Sequence, residues 1–185
     1  MQHKVIKVMQ RYWPESYRHV LAVYDGIEPL QDWLDENVVW KPETPPTALE
    51  IQAKEADYDA ALLTARKKAV ATDVRDEAEK RIHAGTLIDG VQFKCDDQSI
   101  NRVHGMLTTA KEAEAASLPF SQTFMTETGG TVTINGAAEA SDIFSAASGF
   151  VGMVLSASAE LQGQVSPMTA AELDAFDASD PVHWP

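Results

Sequence analysis

The stretch LIDGVQFKCDDQSINRVHGML, residues 87–107, decides the fold. Asp89-Gly90 sits between two short apolar runs. That dipeptide suits the primed two-residue turn of a β-hairpin, so Thr86 to Phe93 is expected to fold back on itself. Asp96 or Asp97 then offers a helix N-cap. Ile100, Val103, Leu107 and Ala110 follow at three- and four-residue spacing, the buried face of a helix from Asp97 to about Ala116. Hairpin followed by capped helix makes this an α+β chain. The same stretch holds Cys95 and His104, so a thiol–histidine site is the competing reading. His83 and His104 flank Cys95 outside any catalytic motif, and Lys94 alone is weak activation. A buried or strand-edge thiol is the expectation.

Upstream, Thr47-Ala-Leu-Glu50 has capping-box spacing. Nothing from Ala48 to about Ala84 breaks a helix, and Gly85 supplies its C-cap. At 1.5 Å per residue this is a rod of about 55 Å. Ile51, Tyr58, Leu62, Ala65 and Ala69 form an apolar stripe, which shifts to Val74, Ala78 and Ile82. A helix this long cannot be covered by its own small domain, so the stripe needs copies of itself or a neighbouring subunit. A slightly broken helix folded onto the core is the other reading.

Downstream, residues 119–134 (PFSQTFMTETGGTVTI) read as a second hairpin with Gly129-Gly130 in the turn. A third helix is expected from about Ala137 to Gln162. It carries an apolar stripe of Ile143, Ala147, Phe150, Val154 and Leu161. A second stripe is small: Ser141, Ser145, Ser148, Gly149, Gly152 and Ser156. Small side chains admit close approach of another helix. Thr169-Ala-Ala-Glu172 is a further capping box, followed by an extended DPVHWP. Residues 1–46 hold three of the four Trp and three of the four Tyr. There VIKVM and VLAVY read as strands, NVVWKP as an edge strand, and Asp25-Gly26, Pro29 and Pro42 as punctuation. PETPPT is a stiff connector. The divisions are 1–46, a small β-rich aromatic segment; 47–84, the long helix; 85–165, an α+β domain; and 166–185, an acidic tail.

With 185 residues, 44% hydrophobic, the chain can bury a core. A net charge of −13 leaves no basic footprint for nucleic acid and disfavours anionic membranes. From Glu112 onward there are ten acidic residues and neither Lys nor Arg. That half is either a solvated face or a surface for a basic partner or a divalent cation. One cysteine permits no intrachain disulfide. The N-terminus has no signal-peptide core, and nothing marks export. Ile143 to Ala159 is uncharged for 17 residues, short of the roughly 20 a spanning helix needs.

No catalytic, cofactor-binding or metal-ligating residue is assigned. The five His lack ligand spacing. Asp57 and Asp59 do not share a helix face. Asp174, Asp177 and Asp180 recur every third residue but lack the glycine and ligand density of a calcium loop. The candidate interface residues are Ile51, Tyr58, Leu62, Ala65 and Ala69 on the long helix, with Ser145, Gly149, Gly152 and Ser156 on the third.

The order of elements over residues 80–162 resembles an uncharacterised domain of tailed bacteriophages and prophages, found among tail-fibre and tail-tip genes. KRIHAG, LIDGVQFKCDDQSINRVHGML, FSQTFMTETGGTVTINGAAEASDIF and GFVGMVLSASAELQGQV carry the resemblance. Phe124 stands where the family often shows a tryptophan. The resemblance implies scaffold: Gly90 in the turn, Phe93 packed, Ser99 or Asp97 capping, Arg102 at the surface. It implies a virion protein made in the host cytoplasm, at the tail tip, baseplate or fibre attachment. Its partners would be other tail proteins and its own copies, with a trimer as the first expectation. A fibre-assembly chaperone that leaves the virion is the alternative. No enzyme and no cofactor are implied.

Overall fold

The computed structural model describes residues 4–14, 17–20, 29–40, 45–125 and 131–185, with backbone alone at 17–19, 37, 124 and 125. The fold is α+β and mostly helical. It divides into two compact units, residues 1–66 and 67–185.

The first unit holds α1 (Lys4–Tyr12), β1 (Tyr17–Val20), α2 (Leu30–Asn37), β2 (Val38–Trp40) and the front of α3 (Ala48–Ala84). VIKVM is therefore helix, not strand. Val5, Val8, Met9 and Tyr12 recur with a helical period, and Lys4, Lys7 and Arg11 take the other side. That amphipathic pattern outweighs the β preference of valine and isoleucine. Among the described residues of this segment, helices α1 and α2 accompany the β1–β2 pair. NVVWKP does supply a strand: β2 pairs antiparallel with β1, with a register shift between Tyr17 and His19. Val20 lies in β1; the rest of VLAVY, with Asp25-Gly26 and Pro42, falls outside the described residues. Val8, Met9, Trp33, Leu34 and Ile51 are fully buried together. Lys4 Nζ ties α1 to α3 through Asp59 (2.7 Å) and Glu55 (3.4 Å).

The second unit continues α3 and adds β3 (Thr86–Ile88), β4 (Val91–Phe93), α4 (Asp97–Ala115), β5 (Ser121–Met125), β6 (Thr131–Asn135), α5 (Gly136–Val165) and α6 (Ala170–Ala175). Helix α3 stops at Gly85, where φ is +76° and a Cβ would collide with the Phe93 carbonyl. The carbonyls of its last turn find donors: Gly85 N–H to Arg81 (2.9 Å), Cys95 N–H to Ile82 (3.2 Å), and the Gln92 side chain to Ala84 (2.7 Å). Asp89 (φ +50°) and Gly90 (φ +78°) form the primed turn between β3 and β4.

Asp96 is the N-cap of α4, its carboxylate accepting from Ser99 N–H at 2.8 Å. The cap is thus neither Asp97 nor Ser99. That hydrogen bond holds the Asp96 carboxyl below its ordinary range. Hairpin β5–β6 pairs Ser121 with Asn135 through Met125 with Thr131. Its Gly129-Gly130 turn and the Phe124 side chain lie outside the described residues.

Helix α5 begins directly after β6, at a Gly136 with φ +88°. It packs on α4 and on β3 and β6. Phe93, Val103, Leu107, Ala110, Ile134, Ile143 and Ala147 form this core. Farther along α5, Val154 and Leu161 meet Val74, Ala78 and Trp184.

The DPVHWP end is not extended. Asp180 accepts from Val182 N–H (3.0 Å) and opens a short 3₁₀ turn, Pro181–His183. Trp184 is then buried, its indole N–H donating to the Ala178 carbonyl at 2.9 Å. Arg81 lies 5.1 Å from that ring and donates to the Ser179 carbonyl at 3.2 Å. An apolar anchor overrides the acidic composition, so the segment closes against α3 instead of standing in solvent.

Candidate interaction surfaces

Helix α5 has two chemically different sides. Its inner side, with Ala140, Ile143, Ala147, Val154 and Leu161, is core. Its outer side exposes Ser145, Gly149, Gly152 and Ser156. Met153 and Leu155 are 55% and 54% exposed beside them. Among the described residues, a Cβ added at Gly149 or Gly152 meets nothing within 4 Å, so their packing does not require glycine there. At 30 residues α5 is long and apolar enough to cross a bilayer by length and composition alone, which the 17-residue uncharged run is not. Only 22% of its most apolar window is buried within the chain.

The interface positions on α3 separate into two groups. Ile51 is fully buried in the first unit's own core, and Tyr58 is half-buried against it. Neither is a free surface there. Leu62 (47% exposed), Ala65 and Ala69 are open. The later stripe residues Val74 and Ala78 are buried and Ile82 is half-buried, all inside the second unit.

Among the described residues, the C-terminal segment lines grooves of the second unit on two sides. One, of about 640 Å³, runs between the outer face of α5 and the C-terminal segment. Gly149, Gly152 and Ser156 line it on one side, Val182, Trp184 and Pro185 on the other. The other, of about 440 Å³, lies between α3 and the C-terminal segment. Asp73, Asp76, Glu77, Lys80 and Asp177 surround a floor of Phe176 and Ala178. Glu77 is engaged by Lys80 (3.1 Å) and Arg81 (2.9 Å). Asp177 accepts from Ser179 N–H and Oγ, which holds its carboxyl below the ordinary range.

Cys95 is a free, buried thiol. The thiol is 1% exposed and donates weakly to the Phe93 carbonyl at 3.7 Å. Burial pushes its pKa up, away from the reactive thiolate. His104 packs its ring 5.2 Å from Phe144 instead. His83 Nδ1 lies 3.7 Å from the Asp96 carboxylate. Among the described residues no three His, Cys, Asp or Glu side chains gather as a metal would need.

Sequence reasoning found the small face of α5 but missed Met153, Leu155 and Val182. The first two lie one residue to either side of buried Val154, and that offset was the available signal. It also missed the anchoring role of Trp184, for which the only cue was an aromatic closing an acidic segment.

These observations define a class: a small α+β module in which a helix, a hairpin, a helix, a second hairpin and a helix follow one another. Residues 63–180 match the model of DUF4376, a domain of unknown function, and the chain belongs to that family. No curated protein and no solved structure matches the chain.

Proposed function

We propose that this chain is a structural component of a bacteriophage virion, at the tail tip, baseplate or fibre attachment, that works by protein–protein assembly and not by catalysis. The observation that carries the assembly reading is the outer face of α5. Two glycines on an exposed helix cost about 1 kcal/mol each relative to alanine. Among the described residues nothing lies within 4 Å of a Cβ at either position, so no close approach offsets that cost. A helix that docks there gains close backbone approach, and Met153 and Leu155 lose their exposure to water. The phage setting rests on the order of residues 80–162 described above. Copies of the chain, first in trimers, and neighbouring tail proteins are the partners. Neither nucleic acid nor membrane is among them.

Mass spectrometry of purified virions tests this reading, with copy number measured against the major tail protein. A stoichiometric signal in multiples of three or six supports a built-in component. Absence from particles, with abundant protein in infected cells, replaces it with the fibre-assembly chaperone.

A further inference from the structure

Helix α1 has a cationic face. Lys4, Lys7 and Arg11 stand on one side of it, and the helix holds no acidic residue. Lys4 is spent on Asp59 and Glu55. Lys7 and Arg11 are exposed, and among the described residues neither meets a carboxylate. The Arg11 guanidinium lies 5.7 Å from the ring of its neighbour Tyr12. They are exposed cations on a protein of net charge −13.

The chain itself carries the complement. In the second unit, Asp73 and Asp76 line the 440 Å³ groove, are exposed, and have no cationic partner among the described residues. Of the nearby cations, Lys80 and Arg81 both serve Glu77, and Arg75 donates to Thr72 Oγ1 at 3.3 Å. From Glu112 onward the sequence supplies no other cation. The spacing matches as well as the sign. Lys7 and Arg11 are one turn apart on α1, and Asp73 and Asp76 are one turn apart on α3, each pair about 5–6 Å between Cβ atoms. Phe176 and Ala178 give the floor an apolar strip on which aliphatic stems can lie.

We propose that the cationic face of α1 docks onto a second copy of this chain, with Lys7 and Arg11 entering the groove of Asp73, Asp76 and Phe176. The inference rests on the assembly reading above. The contact is heterologous, because one copy's α1 meets the other copy's α3. Repeated by rotation, such a contact closes into a ring, and three copies are the smallest cyclic set larger than a dimer.

Sedimentation velocity decides it, on four full-length proteins: the natural chain, Lys7→Glu/Arg11→Glu, Asp73→Lys/Asp76→Lys, and the chain with all four changes. All four side chains are exposed, and circular dichroism verifies that each variant folds. The natural chain assembles at low salt and dissociates as ionic strength rises from about 0.05 to 0.5 M, where screening shortens to a few ångströms. Each reversal weakens assembly by about tenfold, and the fourfold variant regains it. A natural chain that stays monomeric at low salt overturns the proposal. So does assembly indifferent to salt and to both reversals, or a fourfold variant no better than either parent. Virion mass spectrometry is independent of this result, so a protein found in particles but monomeric in solution sinks the docking without sinking the virion role.

Discussion

Val154 and Met153 are neighbours on α5, yet the first is fully buried and the second is 55% exposed. The inner face of the helix is explained by the fold. Val154 and Leu161 meet Val74, Ala78 and Trp184, and Ile143 and Ala147 meet the α4 core. The outer face is met by no close packing among the described residues. The difference teaches that hydropathy along a helix reports the sum of two demands, one from the domain and one from whatever the domain meets. Those demands separate only when each residue's surroundings are known.

Substitutions at the two neighbours break the comparison most sharply. Val154→Asp places a charge in an apolar cluster and is expected to cost about 4 kcal/mol or more, read as a large loss of melting temperature. Met153→Asp is expected to change the isolated chain by less than about 0.5 kcal/mol and to act only on assembly. Equal losses at both positions would mean that the outer face is core after all. Next in size is Trp184→Ala, expected to cost about 3 kcal/mol in a chemical denaturation because it empties one wall of the Val154 cluster. If denaturation curves superimpose, the C-terminal segment does not seal the inner face.

Gly149→Ala and Gly152→Ala should run the other way. Each is expected to stabilise the isolated chain, by up to about 1 kcal/mol, since the added methyl meets open space. Each should weaken self-assembly, measured by light scattering on the same samples. Stabilisation with unaltered assembly would free the outer face of any role. The smallest effect belongs to Asp96→Ala, about 1 kcal/mol for a lost N-cap. The sign of its pH dependence follows from the lowered carboxyl. Its contribution is complete above the unfolded value near 4 and is lost as pH falls through the folded value below it. Acid titration of stability should therefore be flatter for the variant than for the natural chain.

Much of this architecture was legible because local signals agreed with one another. Asp89-Gly90, Gly85 and the Thr169–Glu172 capping box each depend on a few adjacent residues, and each stands where its chemistry places it. The continuous helix from Ala48 to Ala84 was legible for the same reason: nothing interrupts it. Within residues 1–46 the strand Val38–Trp40 was legible and the helix Lys4–Tyr12 was not. In VIKVM, β-branched side chains and a helical period gave opposite advice, and the period prevailed because it sorts Val5, Val8 and Met9 from Lys4, Lys7 and Arg11. The candidate surface was half legible. Composition marks Ser145, Gly149, Gly152 and Ser156 as small, but only the fold tells that Ile51 is consumed internally while Leu62 is not.

The junction at Gly85 has a kinetic consequence. The Ile82 carbonyl waits for the Cys95 amide, and the Ala84 carbonyl waits for the Gln92 side chain. The end of α3 therefore cannot complete its hydrogen bonding until the β3–β4 hairpin has closed. The loop between the partners is short, so closure is fast and cheap in entropy. The last turn of α3, the hairpin and the start of α4 should open and close together as one unit of hydrogen exchange, where an ordinary helix end would fray on its own.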